Sequence, residues 1–365
     1  MAKLTHLPLL ALASMLTACK PAQVADSSEN GVFKSVSQTS QGLKQTNKNY
    51  EMKFPLDHGA HPEFGIEWWY LTANLVGSDG KDYGLQWTLF RIANPEGKTT
   101  LWNNNQSFMA HSSVHGPEQS WFEQKFARGN VGTSGVSIQP FNAFIDDWVF
   151  NASSSSLIPA SLQFSIESDL VANLQLSTEK PLVLHGDNGY SEKFYAQDGV
   201  ESPASYYYSQ PYIEVSGQLA LPDKTIEVSG DAWFDHEWTS QVLPENTSGW
   251  DWFALHLSKN SKLMLARVRH DTQADHWIGT YISDDGNVFP LTSSDIKAKV
   301  NKTEEVEGRN LPLNWSISVE RFGVDLETKP MKVNQWVPGL VAYYEGAIEF
   351  NGTHTGKGFM ELTGY

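Results

Sequence analysis

The sequence predicts an all-β fold of two consecutive antiparallel β-barrel domains. Long helical periodicity is nearly absent, whereas short alternating apolar runs bounded by Gly, Pro, Asn and Asp recur from residue 66 onwards. About 315 residues follow the first 48, more than one domain usually holds. The two halves also echo one another. Glu67-Trp68-Trp69-Tyr70 opens a run ending at Leu75, and the next run carries Leu85, Trp87, Leu89 and Arg91. Trp250-Asp251-Trp252-Phe253 opens a run ending at Leu257, and the next carries Leu263, Leu265, Arg267 and Arg269. An acidic residue among aromatics, a turn, then an alternating strand ending in Arg appears twice, which points to a duplicated unit.

Taken in order, residues 1–19 read as a targeting segment. Lys3 and His6 precede a ten-residue apolar run from Leu7 to Leu16, too short to span a bilayer as a helix. Leu16-Thr17-Ala18-Cys19 then matches a bacterial lipoprotein signal, with Cys19 as the lipidated residue. Lys20 stands where an Asp would favour the inner membrane, so the expected address is the bacterial cell envelope, anchored in the outer membrane and facing the periplasm. Cys19 is the single cysteine, which excludes an intrachain disulfide. Residues 20–48 are rich in Ser, Gln, Asn, Lys and Thr without apolar periodicity and read as a tether. It spans about 30 Å at roughly 5–6 Å × √n.

From there an N-terminal domain is expected over 49–224 and a C-terminal domain over 225–365. Strand runs at 66–76 and 83–92 flank Gly77-Ser78-Asp79-Gly80 as a hairpin. Further runs follow at 107–114, 120–128, 136–140, 143–150, 161–167 and 172–177. Residues 212–221 and 225–234, joined by Pro222-Asp223-Lys224, form a second hairpin; 250–257 and 262–269 form a third. Runs at 277–282, 313–319, 341–350 and 358–363 complete the set, a spacing that fits sandwiches or up-and-down barrels. Aromatic residues make up 12% of the chain, with 13 Trp, enough bulk for two cores. The net charge of −16 argues against nucleic acid and against electrostatic docking on anionic lipid.

The densest chemistry lies in Ala232-Trp233-Phe234-Asp235-His236-Glu237-Trp238-Thr239-Ser240-Gln241. If the strand from 225 continues, Phe234, His236 and Trp238 share one face, and Trp233, Asp235 and Glu237 the other. A histidine between aromatics fits a proton donor beside a cation-tolerant wall, and fits equally a satisfied core histidine. By this alternation the neighbouring carboxylates are not its partners; a partner would come from the Trp250-Asp251-Trp252 strand or from a loop. The aromatic positions Trp68, Tyr70, Trp87, Trp250 and Trp252 read as barrel core and rim, or as the wall of an apolar ligand site. His58-x-x-His61-x-Glu63 lies in a loop without an anchoring element, His236-Glu237 lacks the second histidine of a zincin, and His111 and His115 stand about 13 Å apart on a strand. No metal and no cofactor is expected, and no Gly-x-Ser-x-Gly elbow occurs.

Four ordered segments carry a family resemblance: Asp57-His58-Gly59-Ala60-His61-Pro62-Glu63-Phe64 running into Glu67-Trp68-Trp69-Tyr70; Ala232 to Ser240 with Asp-His-Glu-Trp; Gly249-Trp250-Asp251-Trp252-Phe253; and Tyr344-Glu345-Gly346-Ala347 followed by Glu361-Leu362-Thr363-Gly364-Tyr365. Together, over about 50–365, they resemble the AttH-like and carotenoid 1,2-hydratase family, often labelled predicted secreted hydrolases. The resemblance implies two lipocalin-like domains. In its hydratase branch, it implies acid-assisted addition of water to an alkene, with the family's His-x-Trp falling on His236 and Trp238. The branch's Tyr-x-Asp is missing downstream of Trp238, and Asp251 is the nearest substitute. The AttH branch implies a link to ABC-type export. The expected function is therefore a lipid-anchored protein binding a hydrophobic, lipid-like or isoprenoid molecule, with ABC transporter components as partners. The alternative is a hydratase or hydrolase using His236 as acid/base with Trp238 and Asp251.

Overall fold

The computed structural model describes residues 42–94, 99–100, 102–194, 202–240 and 247–365. The expected signal segment with Cys19, most of the expected tether, and Gln241 lie outside the described residues. Apart from two single-turn 3-10 segments, Leu56–His58 and Glu320–Phe322, the described regular structure is β.

Thirteen strands make the first antiparallel sheet: β1 (Ile66–Gly77), β2 (Asp82–Ala93), β3 (Gln106–His115), β4 (Ser120–Arg128), β5 (Ser134–Ile138), β6 (Phe141–Ile145), β7 (Trp148–Ala152), β8 (Ala160–Ile166), β9 (Leu170–Ser177), β10 (Val183–Leu184), β11 (Tyr190–Glu192), β12 (Ala204–Ala220) and β13 (Thr225–Thr239). Across the sheet they run β4-β3-β2-β1-β13-β12-β9-β8-β7-β6-β5, with β10 and β11 also on β12. Ten strands make the second: β14 (Thr247–His256), β15 (Lys262–His270), β16 (His276–Ile282), β17 (Val288–Thr292), β18 (Lys297–Val306), β19 (Arg309–Val319), β20 (Val324–Pro330), β21 (Trp336–Val337), β22 (Tyr343–Gly352) and β23 (Gly356–Leu362). Their order is β17-β16-β15-β14-β23-β22-β20-β19-β18, with β21 on β22. Each sheet curls around its own apolar interior, giving two lipocalin-like units.

The division expected at 224/225 is corrected by β13. It pairs along its whole length with β1 and with β12, from Ile66↔Thr239 to Gly77↔Val228 on one side. The sheets therefore part between Thr239 and Thr247, because strand 225–239 completes the first sheet instead of opening the second. The run 143–150 is also corrected. It is two strands, β6 and β7, turning at Asp146 with φ 51°. β18 and β20 were not anticipated, and β12 starts eight residues before the expected 212.

Strict alternation appears where one face meets solvent. In β9, Leu170, Ala172, Leu174 and Leu176 are buried while Val171, Asn173, Gln175 and Ser177 are exposed. β1 and β13 break this pattern because both faces are covered. The inner face carries Trp69, Leu71, Phe234 and Trp238 in the first core. The outer face packs against the second sheet, where Tyr70, Tyr207 and Trp233 meet Trp252, Ala254, Ala347 and Phe359. Gly84 on β2 permits that approach, since a Cβ there would stand 2.7 Å from the Ala347 Cβ.

Candidate active site

His236 and Trp238 point into the first interior, and both are wholly buried. His236 stands opposite Trp69 on β1, and Trp238 opposite Glu67. His236 Nε2 donates to Glu67 Oε1 at 2.9 Å, and its Nδ1 lies 3.1 Å from the Tyr208 hydroxyl. The His61 Nδ1 meets the same Glu67 oxygen at 2.6 Å, its amide N–H donates to Oε2 at 2.8 Å, and its ring stacks on Trp238 at 4.0 Å. Arg91, the residue across from Glu67 on β2, donates its Nε–H to Oε2 at 2.7 Å. Burial would raise the Glu67 carboxyl, but the Arg91 guanidinium and then the two imidazoles hold it well below the usual range. Burial would likewise lower His61, yet its bonds to Asp57 and Glu67 lift it to about 9, so it carries a proton at neutral pH. Burial lowers His236 against the pull of Glu67. The result is a charged latch that fixes the loop around Asp57–Phe64 over the end of the first interior.

The donor atoms of His61, Glu67 and His236 lie within 4.8 Å of one another. Their 2.6 and 2.9 Å separations are hydrogen-bond lengths. Two ligands on one tetrahedral zinc would stand about 3.3 Å apart, given bonds of roughly 2.0–2.1 Å. A guanidinium also occupies the second Glu67 oxygen, so the three side chains form a hydrogen-bonded cluster whose spacing does not match a tetrahedral zinc.

Asp251 is not brought to His236. It faces the interior of the second sheet, fully buried, with Arg267 Nη1 donating at 3.0 Å, the Tyr365 hydroxyl donating at 2.8 Å, and Arg269 Nε an ion-pair neighbour at 3.3 Å. Its cross-strand neighbour is Arg267, as Arg91 is for Glu67. The repeated acid-then-Arg signature is thus, in each sheet, a buried carboxylate facing an arginine across the strands, and the His236–Asp251 partnership is corrected on that ground. Trp87 also faces the first interior, because its period of two opposes it to Thr88 and Phe90 on the outer face.

The open space lies between the sheets. A cleft of about 120 Å³ is lined from the first sheet by Trp68, Tyr70, Phe90, Tyr207, Asp235 and Glu237, and from the second by Trp250, Trp252, Val268, Tyr343 and Glu361. Four of the five expected aromatic contacts, Trp68, Tyr70, Trp250 and Trp252, meet here. The acids were not anticipated as site residues. Asp235 accepts from the Tyr207 hydroxyl at 2.8 Å, from the Trp233 indole at 2.7 Å and from the Ser209 hydroxyl. Burial nevertheless pushes its carboxyl up to about 7. The Trp252 indole donates to Tyr207 at 3.2 Å. His185 bonds Ser209 at 2.6 Å and Thr280 at 2.8 Å, linking Asp235 by hydrogen bonds to β16.

Glu345 and Glu361 stand directly opposite each other on β22 and β23. Two like charges at adjacent cross-strand positions in a buried interface cannot both persist. Tyr70 donates to Glu345 Oε1 at 2.7 Å and the Trp250 indole donates to Glu361 Oε1, whereas Glu345 Oε2 meets no donor among the described residues. One proton held between the pair satisfies that oxygen. Burial, then the neighbouring Glu361, raises Glu345 well above the carboxylate range, and burial lifts Glu361 to about 7. Glu345 is therefore the acid and Glu361 the partner that ionises. Glu237 is paired with Lys193 at 2.6 Å. The signals for these residues were present: alternation had set Asp235 and Glu237 opposite His236, and Glu345 and Glu361 stood in the fourth motif. What covers that face was not readable.

The family model described as AttH-like matches residues 45–365. A crystal structure of an AttH protein from Nitrosomonas europaea is similar, with 29% identity and a TM-score of 0.78, covering 88% of this chain and 99% of the other. Kievitone hydratase from Nectria haematococca shares the fold, with 17% identity, a TM-score of 0.62, and coverage of 88% and 96%. A search of curated proteins finds no match.

Proposed function

The chain belongs to the AttH-like family, and within it we propose an enzyme that adds water to, or removes it from, an apolar unsaturated molecule held between the two sheets. The observation that carries this reading is Asp235, a buried carboxyl poised near neutrality on a cleft walled by Trp68, Trp250 and Trp252. In hydration, the Asp235 O–H gives its proton to one alkene carbon, whose π pair becomes the new C–H bond. The positive charge on the other carbon faces the indole rings. A water oxygen forms the C–O bond there, and its surplus proton passes to the ionised Glu361. Exchange with solvent restores both groups, and dehydration runs the steps in reverse. That a fold neighbour is a hydratase supports the reaction class.

The first interior is filled by Trp69, Trp87, Trp148, Trp238 and the rings around them, which favours the cleft over a barrel lumen as the ligand's seat. Lipid anchoring at Cys19 and an envelope address rest on the Leu16–Cys19 pattern, and Cys19→Ser should release the protein from membranes. No observation carries the ABC-type export partnership.

The test begins by extracting ligand from protein purified from its own host and identifying it by mass spectrometry. Turnover of that molecule in D2O should place one deuterium on carbon, and Asp235→Asn should lower the rate about 100- to 10,000-fold, the range for loss of a general acid. A bound apolar molecule that is never hydrated or dehydrated would leave binding alone as the function.

A further inference from the structure

The cleft between the sheets sets rings beside carboxyls in register. Across β1 and β13, Trp68 stands opposite Glu237 and Tyr70 opposite Asp235; across β14 and β23, Trp252 stands opposite Glu361. Each acid that lines the cleft therefore has an aromatic neighbour on the adjacent strand, in both sheets. The polar edges of these rings are spent within the protein. Tyr70 donates to Glu345, Tyr207 to Asp235, the Trp250 indole to Glu361 and the Trp252 indole to Tyr207. Thr239 and Thr363 give their hydroxyl protons to backbone carbonyls. Lys193, the one lysine or arginine in the lining among the described residues, is paired with Glu237 at 2.6 Å. The charges that act most strongly on Asp235, Glu345 and Glu361 are other carboxylates. A ligand thus meets ring carbon and carboxyl oxygen, with few donors turned towards it. Such a lining disfavours an anion or a carbonyl oxygen, and a neutral alkyl group gains only its burial. A cation gains twice more, from the rings and from the acids.

We propose that the cleft binds an organic monocation whose charge is shielded by alkyl groups, such as a trimethylammonium head, in preference to the uncharged molecule of the same shape. This ligand class rests on the hydration reading in one respect, that the head stands in for the carbocation and so occupies the place where it forms. The cleft, about 120 Å³, has room for the head. Ionisation of Asp235 and Glu361, which both titrate near 7, strengthens the attraction. The groups around them keep their state through that range. Glu345 stays protonated, His185 neutral, and Tyr70, Tyr207 and Tyr343 hold their hydroxyl protons, with the Lys193–Glu237 pair beside them. Affinity for the cation should therefore rise with pH through about 7, and binding near neutrality should release a proton.

The experiment uses the purified chain with choline as probe and 3,3-dimethylbutan-1-ol, its uncharged isostere, as control. Salt is held at about 0.15 M, where the field of the net charge of −16 is screened beyond about 8 Å. Calorimetry at pH 8.5 should show choline bound about tenfold more tightly than the alcohol or better, and at pH 5 the preference should fall below about threefold. Titrations in two buffers of different ionisation heat read the released proton. Asp235→Asn and Glu361→Gln should each reduce the preference, and the double variant should lose its pH dependence. Trp68→Leu, at a half-buried position, should weaken choline and leave the pH dependence in place, which keeps the site testable if an amide variant fails to fold. Equal affinities at pH 8.5, a preference that grows at low pH, or an unchanged preference in the double variant would overturn the assignment. Deuterium incorporation tests the reaction separately. Choline preference without turnover keeps the cation site and removes hydration, whereas turnover without choline preference keeps hydration and removes the cation site.

Discussion

Two residues one position apart in the chain, Asp235 and His236, do opposite things because a strand sends them to opposite faces. His236 is enclosed by Glu67, Tyr208, Trp69 and Trp238, and its ring nitrogens already serve the latch. His236→Ala should cost about 3 kcal/mol, since it removes a buried partner from a charged network. The folded variant should keep its turnover rate. Urea unfolding and rates per folded molecule check both halves, and a collapsed rate with intact stability would return His236 to the chemistry. Asp235 is disfavoured as an anion by its burial. Its carboxyl moves from 3.8 to about 7 on folding, so its contribution to stability is present below about pH 4 and is lost as pH rises through 7. The loss is on the order of 4 kcal/mol at full ionisation. Asp235→Asn should therefore raise Tm at pH 8 relative to the parent protein, with the advantage smaller at pH 5 and gone below about pH 4, while turnover falls. Calorimetry at the two pH values decides it. The pH–rate profile follows from the same acids. Activity needs Asp235 protonated, which fails above about 7, and Glu361 ionised, which fails below about 7, giving a bell centred near neutrality.

At the scale of the element, legibility depends on what covers each face. β8 and β9 could be read almost residue by residue because water lies on one side. β18 could not, since Lys297–Val306 is an edge strand with polar side chains on both faces and gives no apolar period. β12 was half-read, since the expected run began at 212, one residue past Pro211. Pro211 sits in a bulge, where the register on β13 slips by one residue between Gln210 and Ile213. That slip keeps Tyr206 and Tyr208 inward before the bulge and Ile213 and Val215 inward after it. The contact between the sheets makes a prediction of its own. A valine at Gly84 would drive its Cβ into Ala347, so Gly84→Val should cost about 1–3 kcal/mol and widen the cleft. Pairing it with Ala347→Gly should recover part of that loss, a coupling that unfolding of the two single variants and the double variant would measure. Strict additivity would mean that the two sheets do not meet there.

For the whole molecule, the decisive feature is that the acids are assembled from both sheets. Tyr70 of β1 bonds Glu345 of β22, Trp252 of β14 bonds Tyr207 of β12, and Asp235 and Glu361 face a common cleft. Alternation revealed which residues share a face, and the duplicated acid-then-Arg signature revealed two units. Neither says which outer face of one unit lies on which face of the other, so the paired aromatics were legible and the carboxyls between them were not. This arrangement also ties the cohesion of the units to pH. Asp235 and Glu361 both have folded values near 7, well above their unfolded ones, so the interface is most stable at low pH and weakens as pH rises through 7. A chain cut between Ser240 and Thr247 should leave two fragments that associate more tightly at pH 5.5 than at pH 8.5, as read by sedimentation. Replacing both acids by their amides should flatten that dependence, because the charge that separates the sheets can then no longer form. Fragments that instead bind more tightly at pH 8.5 would show that ionised carboxylates hold the sheets together, and would remove the neutral-acid cleft on which the proposed chemistry depends.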